Sequence, residues 1–357
     1  MKKQIVLCAM SGGVDSSVAA AILKKQGYEV IGIFMKLWSE GTGAEAAIAA
    51  RAVANHLKIP FYILNLEKEF KKAVVDYYIK EYEKGRTPNP CVICNRDIKG
   101  EVLLRKVLEM KADFLATGHY ARLRREIRNP KSEIRNYRYQ LLQAKDKEKD
   151  QTYFLWMLKQ EQLKQLLFPI GDYLKSEVRA LAKKWQLPSA ERKESQGVCF
   201  IPDRDLEKFL RRHAHNLTKP GEIVDLQGNK LGLHQGLLSY TIGQRERLGI
   251  GGPKAYYVVK LKSKENLLVV GDEKDLYQKK LIAADLNWLD KPFYEQEKIG
   301  EIKAKIRYGH SAENCQMKAI ENKQVKVSFD RPQRAITPGQ SIVFYSGEKA
   351  LGGGIIQ

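Results

Sequence analysis

The stretch Ser11-Gly12-Gly13-Val14-Asp15-Ser16-Ser17 decides the fold of the first part of this chain. An apolar run from Ile5 to Met10 precedes it, and an amphipathic run from Val18 to Lys25 follows it. Two adjacent glycines permit a tight backbone turn, so the order strand, glycine turn, helix is predicted. Such a turn directs free backbone N–H groups and the positive end of the helix dipole at one point. Phosphate is the natural ligand there.

This glycine turn lacks the lysine that follows the glycines of a Walker-type loop, so ordinary γ-phosphoryl transfer is not indicated. The stretch resembles the S-G-G-x-D-S loop of the pyrophosphatase-loop (PP-loop) enzymes. Those enzymes split ATP between the α and β phosphates and place AMP on a carbonyl oxygen. The resemblance implies that Asp15 helps to hold magnesium or the pyrophosphate, and we predict adenylation chemistry rather than a bare structural turn.

The composition is that of a globular protein with an excess of positive charge. The chain has 357 residues, 43% of them hydrophobic, and a formal net charge of +20, and this length suits two or three domains. The charge favours either a polyanionic partner, bound through phosphate contacts, or solubility alone. Because the apolar run from Ile5 to Met10 is too short for a signal peptide or a membrane span, we expect a cytoplasmic protein with no membrane partner.

Apolar runs alternate with helical patterns through the first half of the chain. After the first strand, the runs are Val30–Met35, Phe61–Leu66 and Asp113–Thr117. The alternation predicts an α/β fold with a doubly wound parallel sheet, in which ligands bind at the carboxyl ends of the strands. The ends at Met10, Met35 and Thr117-Gly118-His119 are therefore expected to share one nucleotide pocket.

The character of the sequence changes beyond about Pro202, where glycines and short β-type runs replace the alternation. The runs are Tyr256–Leu261, Leu267–Val270, Ile299–Arg307, Val325–Phe329, Ser341–Tyr345 and Gly352–Ile356. We predict three domains from this change. They are a nucleotide-binding catalytic domain at residues 1–204, a small central linking domain at 205–275 and a C-terminal β-barrel at 276–357.

One stretch near the end of the first domain is strongly basic. Its cations are Arg122, Arg124, Arg125, Arg128, Lys131, Arg135 and Arg138. Because Asn129-Pro130 interrupts the stretch, we predict a mobile basic insertion. A solvated loop and a direct nucleic-acid contact are equally supported by the charge pattern.

The cysteines point to reactive thiols rather than to a disulfide scaffold. There are five, an odd number in a large chain, namely Cys8, Cys91, Cys94, Cys199 and Cys315. Cys91 and Cys94 form a C-x-x-C pair just before a helix predicted from Asn95 to Met110. A thiol at a helix N-terminus, near Arg96, is expected to be deprotonated and nucleophilic.

Metal binding was considered for the same thiols. Zinc would need a second C-x-x-C or paired histidines, and Cys199 stands alone in its own motif, so zinc is disfavoured. An iron–sulfur cluster on three cysteines, with one open iron site that delivers sulfur, stays open. Gly197 and the polar residues before Cys199 favour an exposed turn over a buried core thiol.

Motifs spread over nearly the whole chain resemble one family. They are S-G-G-V-D-S-S, T-P-N-P-x-x-x-C-N, A-T-G-H-Y-A-R, K-D-Q-T-Y-F-L, Q-G-V-C-F-I, Y-T-I-G-Q-R, T-P-G-Q and L-G-G-G-I-I. Together they are similar to the tRNA-specific 2-thiouridylases, which place sulfur on C2 of wobble uridine 34. The resemblance implies a tRNA sulfurtransferase with a PP-loop, adenine nucleotide α-hydrolase-like domain and a C-terminal barrel that binds tRNA.

The resemblance also implies roles for the residues that match these motifs. ATP would lie against Ala9, Met10, Ser11, Gly12, Gly13, Val14, Asp15, Ser16, Met35 and Gly118. The target base or the rest of the tRNA would contact Asn89, Pro90, Cys91, His119, Lys149, Asp150, Gln151, Arg307, Tyr308 and Gln340. Cys94 would be the nucleophile and Cys199 the persulfide carrier, with ATP and Mg²⁺ as cofactors. The partners would be the tRNAs for lysine, glutamate and glutamine, and a persulfide donor such as a cysteine desulfurase or a sulfur-relay protein.

The implied chemistry needs both the ATP-binding residues and the two cysteines. The C2 oxygen of uridine is a poor leaving group, so its adenylation lets a sulfur nucleophile expel AMP. Cys199 would deliver its outer sulfur while Cys94 attacks or resolves the persulfide, which leaves a Cys94–Cys199 disulfide for a reductant. The anticodon loop would have to splay out the uridine.

Several positions depart from the family pattern, and the substrate contacts near them are in question. Many members carry Asp, a proposed acid/base group, where this chain has Cys91. Glu194 stands where Asp is usual, Gly100 where Phe is common and Arg247 where Gly is common, and the segment after Met35 is shortened.

Two other functional classes would account for only part of the sequence pattern. An adenylating enzyme for a small molecule would need neither Cys94 nor Cys199, and a tRNA-binding protein without catalysis would not need an intact Ser11–Ser17 stretch.

Overall fold

The structure is a computed structural model that describes most of the chain. The described residues are 3–38, 43–127, 137–194, 197–201, 205–213, 219–251, 255–292 and 301–357. Over these ranges, no helix combines the length and the apolar character needed to cross a membrane.

A five-stranded parallel sheet forms the centre of the first domain. Its strands are β1 (Ile5–Ala9), β2 (Glu29–Lys36), β3 (Phe61–Asn65), β4 (Phe114–Thr117) and β7 (Leu166–Leu167). They lie in the order β3-β2-β1-β4-β7, and each neighbouring pair is parallel. The prediction of a parallel α/β sheet from the apolar runs is confirmed. Because β1 is central, the turn after it lies in the middle of the carboxyl edge.

Helices connect and cover these strands. They are α1 (Val14–Lys25), α2 (Gly43–His56), α3 (Glu67–Phe70), α4 (Asp76–Glu83), α5 (Pro90–Ile93), α6 (Leu104–Glu109), α7 (Gln160–Leu163), α8 (Lys175–Lys184) and α9 (Leu206–His213). Helix α1 begins directly after Gly13, so the predicted order of strand, glycine turn and helix is confirmed. Its face is almost fully buried against the sheet, so the glycine turn is held firmly at both ends.

The helix that carries the C-x-x-C pair begins earlier than predicted. A π-helical segment, Cys94–Leu103, joins α5 to α6, so the helix runs without a break from Pro90 rather than from Asn95. The Asn89 side chain accepts a hydrogen bond from the Cys91 N–H at 3.2 Å, and Pro90 occupies the first helical position. Both features are favourable at a helix start. Cys91 is therefore the second residue of the helix, and Cys94 lies one turn further on.

The basic stretch is a β-hairpin where the structure describes it, so the prediction of a mobile insertion was wrong there. Strands β5 (Ala121–Ile127) and β6 (Tyr137–Gln143) pair antiparallel along their whole length. The Arg125 guanidinium lies 4.4 Å from the centre of the Tyr137 ring, a cross-strand contact that stabilises the pair. Arg128, Lys131 and Arg135, which were part of the prediction, lie outside the described residues.

A closed β-barrel forms the last part of the chain, as predicted. Its strands are β12 (Tyr277–Trp288), β13 (Lys303–Lys305), β14 (Glu313–Ile320), β15 (Gln324–Arg334), β16 (Ser341–Ser346) and β17 (Lys349–Ile356). They follow the order β12-β15-β14-β13-β16-β17, and β12 also pairs with β17, which closes the barrel. The sequence missed β12 and β14, because their exposed faces carry many lysines and other polar residues. Within the predicted run from Ile299 to Arg307, the described strand is only β13.

A small mixed sheet lies between the two larger units. Its strands are β8 (Gly221–Val224), β9 (Lys230–His234), β10 (Tyr257–Lys262) and β11 (Leu267–Gly271), in the order β10-β11-β8-β9. The two predicted runs in this region correspond to β10 and β11. The small central unit is therefore built around them.

Buried aromatic side chains join the barrel to the first domain. Trp156 is fully buried, and its Nε1 donates a hydrogen bond to the Ser341 Oγ at 3.0 Å. The Tyr153 hydroxyl donates to the Ser341 carbonyl at 2.8 Å. A Cβ at Gly353 would lie 2.8 Å from the Trp156 ring, so the barrel backbone packs directly on the indole. The two units share one core at this place.

Replacing this indole tests the shared core. Trp156→Ala removes a fully buried ring and leaves the Ser341 hydroxyl without its partner, so we expect a loss of about 3–5 kcal/mol in the free energy of unfolding. Urea denaturation followed by circular dichroism measures it. The control is Leu108→Ala, whose side chain is 62% exposed and should cost about 0.5 kcal/mol or less. Equal losses in the two variants would contradict the shared core.

Candidate active site

Serine hydroxyls fix the shape of the glycine turn. The Ser16 Oγ accepts a hydrogen bond from the Ser11 N–H at 3.1 Å and lies 3.2 Å from the Ser11 Oγ. The Ser17 Oγ donates to the Gly13 carbonyl at 2.7 Å. Helix α1 then begins with its N–H groups unpaired, as the first turn of any helix does. The turn is thus preformed as a cradle for an anion.

Gly12 and Gly118 are positions where only glycine fits this cradle. Gly12 has a φ of 77°, and a Cβ there would lie 2.5 Å from the Ala46 carbonyl oxygen. A Cβ at Gly118 would lie 2.7 Å from the Ser16 backbone nitrogen. Both close approaches exclude any larger residue. The end of β4 therefore abuts the first turn of α1.

The predicted ATP residues lie along this carboxyl edge. They are Ala9, Met10, Ser11, Gly12, Gly13, Val14, Asp15, Ser16, Met35 and Gly118, from the end of β1, the turn and first residues of α1, β2 and the end of β4. Ala9, Met10 and Val14 are buried. Their side chains therefore pack into the core.

Charged side chains surround Asp15. The Lys175 ammonium lies 2.7 and 2.8 Å from the two Asp15 carboxylate oxygens, and the Tyr120 hydroxyl donates to the same carboxylate at 2.9 Å. Lys175 also pairs with Glu194 at 3.2 Å, and Lys149 pairs with Glu194 at 3.0 Å. The glycine turn has no lysine of its own, but Lys175 of α8, 160 residues beyond Asp15 in the chain, places an ammonium group beside it. Sequence reasoning missed it, because nothing in the local pattern marks Lys175.

Glu194 holds this group of cations together. The hydrogen bond from Lys149, with Lys175 close by and a smaller opposing effect of burial, lowers the pKa of Glu194 to about 2. Its carboxylate is therefore ionised at any physiological pH. Where the family usually has Asp, this chain therefore has a glutamate whose ionised carboxylate pairs with Lys149 and Lys175.

Three thiols from two separate segments meet beside the helix start. Cys91 and Cys199 are exposed residues, and Cys94 is buried. The charges of Cys91 and Cys199 each raise the pKa of Cys94, so the three sulfurs lie within electrostatic reach of one another. Phe200 packs edge-to-face on Phe70 and so fixes the segment that carries Cys199. The expected exposed turn at Cys199 is confirmed.

The prediction that these thiols are deprotonated is wrong for the resting structure. Burial raises the pKa of Cys94 to about 12, and local desolvation raises the pKa of Cys199 to about 11 and that of Cys91 as well. Arg96, the cation expected to lower these values, is engaged by Asp97 through two hydrogen bonds of 2.5 and 2.9 Å. Desolvation is the largest effect on the pKa of each of the three thiols.

Lys99 is the cation that acts on all three thiols, and sequence reasoning missed it. Its charge lowers the pKa of each of them against the larger effect of burial. In an α-helix, five residues rotate the side chain by about 140°, which would put Lys99 away from Cys94. The segment from Cys94 to Leu103 is instead π-helical, with i→i+5 hydrogen bonds, and this wider turn brings the two residues together.

His119 connects the thiols to the phosphate cradle. The Lys99 ammonium lies 3.3 Å from the His119 Nε2, and the Thr117 hydroxyl lies 2.7 Å from Nδ1. Because an ammonium only donates, Nε2 accepts and the ring proton resides on Nδ1. Burial, with the Lys99 charge, holds the pKa of His119 well below its usual range, so the ring is neutral. His119 follows Gly118 directly, and Gly118 contacts the cradle.

The barrel fixes the segment that leads to the C-x-x-C pair. The Gln340 amide donates to the Thr87 carbonyl at 2.8 Å, and the Thr87 N–H donates to the Pro338 carbonyl at 2.9 Å. The Arg86 guanidinium donates to the Ile356 carbonyl at 3.0 Å. Asn89 and Pro90 follow two residues later. The predicted contact residue Gln340 therefore holds the predicted base-binding residues in position.

The predicted tRNA contact Lys149-Asp150-Gln151 is divided between surface and core. Lys149 is half-buried and pairs with Glu194. Asp150 is only 2% exposed, and its carboxylate accepts from the Ala144 N–H at 3.0 Å and the Thr152 hydroxyl at 2.7 Å. The Gln151 side chain accepts from the Tyr120 N–H at 2.9 Å. Asp150 and Gln151 thus shape this turn from within, while Lys149 faces the Asp15 group.

Arg307 and Tyr308 follow strand β13 of the barrel. The Arg307 guanidinium donates to the carbonyls of Arg334 and Ala335, and burial lowers its pKa. Tyr308 is 37% exposed, and its ring centre lies 4.6 Å from that of Phe154. A partly exposed tyrosine beside a phenylalanine offers a stacking surface for a base.

A resident metal ion was tested against these side chains. Among the described residues, no group of three or more His, Cys, Asp or Glu side chains is arranged to hold a metal ion. Cys91, Cys94 and Cys199, as the structure describes them, do not form such a group.

Family models cover nearly the whole chain. The model described as the tRNA methyl transferase HUP domain matches residues 4–203. The tRNA methyl transferase PRC-barrel domain matches residues 207–272, and the aminomethyltransferase β-barrel domain matches residues 278–356.

Curated relatives match over their full lengths. The chain is 47% identical to the tRNA-specific 2-thiouridylase MnmA of Carboxydothermus hydrogenoformans, over 99% of this chain and 97% of that protein. It is 46% identical to the protein of the same name from Acetivibrio thermocellus, over 100% of both. Among solved structures, the U34-tRNA thiolase NcsA of Methanococcus maripaludis with its [4Fe-4S] cluster matches with a TM-score of 0.39 and 19% identity, over 60% of this chain and 68% of that one.

Removing the lysine that binds Asp15 tests the cradle. Lys175→Met should raise the KM for ATP roughly tenfold or more, since a hydrogen bond to a charged group contributes about 1.5–3 kcal/mol. Pyrophosphate release against ATP concentration measures it. Lys184→Met, exposed on the same helix, is the matched control and should leave the KM unchanged. An unchanged KM in Lys175→Met would show that the cation does not face the nucleotide.

The raised pKa of Cys94 predicts a steep pH dependence. Because only the thiolate reacts, alkylation of Cys94 by iodoacetamide should rise about tenfold for each pH unit between about pH 7 and 10, with a pKa of about 12. Peptide mass spectrometry follows the label. Lys99→Met should slow the reaction at each pH, and Lys99→Arg should restore part of the rate. A plateau below about pH 8 would mean that the thiol is already ionised.

Proposed function

Because this chain belongs to the tRNA-specific 2-thiouridylase family, and is thus an ATP-using tRNA sulfurtransferase, we propose that its Cys94 and Cys199 perform the sulfur transfer to C2 of wobble uridine. One observation carries the proposal. Gly118 contacts the phosphate cradle at Ser16, and the next residue, His119, contacts Lys99 beside the thiols. Activation and sulfur delivery can therefore act on one base held between them.

The cradle is proposed to bind the triphosphate of ATP. The N–H groups at the start of α1, with the Ser11 and Ser16 hydroxyls, would contact the phosphates, and Lys175 would move from Asp15 to the pyrophosphate. Magnesium, held at Asp15, would supply a second positive charge there. The C2 oxygen of uridine attacks the α phosphorus, pyrophosphate leaves, and the uridine carries AMP.

Sulfur delivery is proposed to follow from Cys199. A donor protein of the cysteine desulfurase or sulfur-relay class would place a persulfide on this exposed thiol. Cys94 attacks the inner sulfur of the persulfide, the outer sulfur attacks C2, and AMP leaves. A Cys94–Cys199 disulfide and 2-thiouridine result, so the two electrons given by the thiols reduce the transferred sulfur. Lys99 stabilises the anionic sulfurs through its charge.

The tRNA is proposed to lie across the first domain and the barrel. Asn89, Pro90 and Cys91 would border the flipped base, which Gln340 supports from the barrel through Thr87. Arg307 and Tyr308 would contact the anticodon arm, and the Lys149–Gln151 turn with His119 would form the opposite wall. The net charge of +20 suits such a polyanion. The tRNAs for lysine, glutamate and glutamine are the expected acceptors.

The domain limits are part of the same proposal. Residues 1–204 would bind ATP and carry the thiols, 205–275 would link, and 276–357 would bind tRNA. For sulfur delivery, an iron–sulfur cluster on the three cysteines is the competing hypothesis. Iron analysis and the visible absorption of anaerobically purified protein distinguish the two.

Nucleoside mass spectrometry tests the function directly. Unmodified tRNA incubated with the protein, ATP, magnesium and a persulfide source should yield 2-thiouridine. The Cys199→Ser and Cys94→Ser variants should lose at least about a thousandfold of this activity, as is usual when a nucleophile is removed. Cys315→Ala, in the barrel, is the matched control and should keep it. Pyrophosphate release without 2-thiouridine would leave adenylation standing and refute the sulfur-transfer assignment.

A further inference from the structure

Cys91 and Cys94 are arranged as an exposed and a buried member of one pair. The Cys94 N–H is shared between the carbonyls of Cys91 and Pro90, so the two residues are one helical turn apart. Cys91 is exposed and Cys94 is 8% exposed. Cys199, on another segment, is exposed as well, and it lies close enough for its charge to act on Cys94. The sulfur transfer proposed above uses only two of these three thiols.

We propose that Cys91 resolves the Cys94–Cys199 disulfide that sulfur transfer leaves behind. The Cys91 thiolate attacks the Cys94 Sγ, a Cys91–Cys94 bond forms, and Cys199 leaves as a thiolate that takes up a proton. One disulfide replaces another, so the step involves no net oxidation or reduction. A dithiol reductant then attacks Cys91 and returns both residues of the pair to thiols. The inference rests on the proposed function and assigns Cys91 a catalytic role.

The geometry of the helix start suits this exchange. Side chains three residues apart on a helix have Cβ atoms about 5–6 Å from each other, and a disulfide needs about 3.5–4.5 Å. A small closure of the first turn is therefore enough. The first N–H groups of a helix have no intrahelical partners, so this turn adjusts at less cost than an interior one.

Burial explains why a third thiol is useful. A reductant cannot approach the Cys94 sulfur directly, because that residue lies in the core beneath the helix start. Cys91 lies on the surface and forms a covalent bond to Cys94 from the same helix. The exchange moves the disulfide outward and frees Cys199, which can then accept the next persulfide.

Lys99 supports each partner of the exchange. Its charge acts on the sulfurs of Cys91, Cys94 and Cys199 alike. No carboxylate ion pair engages Lys99 within the described part of the chain, so its charge is available to the attacking and the departing thiolate.

Thiol mapping without ATP or tRNA tests the proposal independently of the thiolation assay. Reduced protein is treated anaerobically with sodium polysulfide, quenched in acid, alkylated and digested with trypsin. Cleavage after Arg86 and Arg96 puts Cys91 and Cys94 in one peptide and Cys199 in another. In the wild type we expect an internal Cys91–Cys94 disulfide with Cys199 alkylated. Cys91→Ser should instead give a cross-link between the Cys94 and Cys199 peptides.

Two controls make the map decisive. Cys199→Ser should not form the Cys91–Cys94 bond, and its formation there would show direct oxidation and overturn the proposal. Dithiothreitol should restore free Cys94 at least about tenfold faster in the wild type than in Cys91→Ser. A wild-type cross-link of Cys94 to Cys199 with Cys91 alkylated would refute it, as would bound iron that protects all three thiols. A failed thiolation assay would count against the proposed function alone.

Discussion

The contact between Gly118 and Ser16 is the constraint on which this site depends. A side chain at Gly118 would meet the backbone of Ser16 at 2.7 Å, so the end of β4 reaches the start of α1 only because a hydrogen atom stands there. The next residue, His119, thereby meets Lys99, which the π-helical segment holds beside the thiols. The cradle and the thiols are thus connected through two consecutive residues, Gly118 and His119, and a shift at either one would move the cradle relative to the thiols.

The charges of the site are balanced within the protein before any substrate binds. Asp15 is held by Lys175, Glu194 by Lys149, and His119 is kept neutral beside Lys99. The thiols are protonated, since desolvation exceeds the effect of the nearby cation.

The sequence was sufficient for the sheet, the cradle and the cysteine positions, because these depend on local patterns. The apolar runs up to Thr117 and the Ser11–Ser17 stretch each specify their own conformation. The role of Lys175 could not be predicted from the sequence, because its partner Asp15 is distant in the chain. Lys99 was out of reach for another reason, as a regular α-helix would have turned it away from Cys94.

The same limits explain the errors. The arginines between Arg122 and Arg138 indicated a loop by their charge, whereas β5 and β6 pair through cross-strand contacts that a charge count does not contain. Arg96 was expected to ionise the thiols, and its adjacent Asp97 takes up its hydrogen bonds instead. Burial, which decides the pKa of Cys94, is a property of the packed molecule and not of the C-x-x-C spacing.

The hydrogen bonds from the barrel to Arg86 and Thr87 also imply an order in which parts of the site form during synthesis. Arg86 and its partner Ile356 are separated by 270 residues, so a ribosome adding about 5–20 residues per second needs roughly a quarter of a minute to a minute between them. Once Lys175 has been added, the nascent chain contains the whole phosphate cradle and all the strands of the parallel sheet, while Ile356 is still missing. The segment leading to the thiols still lacks its support. A chain truncated before the barrel would therefore keep the cradle but lack the hydrogen bonds that hold Arg86 and Thr87, just before the C-x-x-C pair.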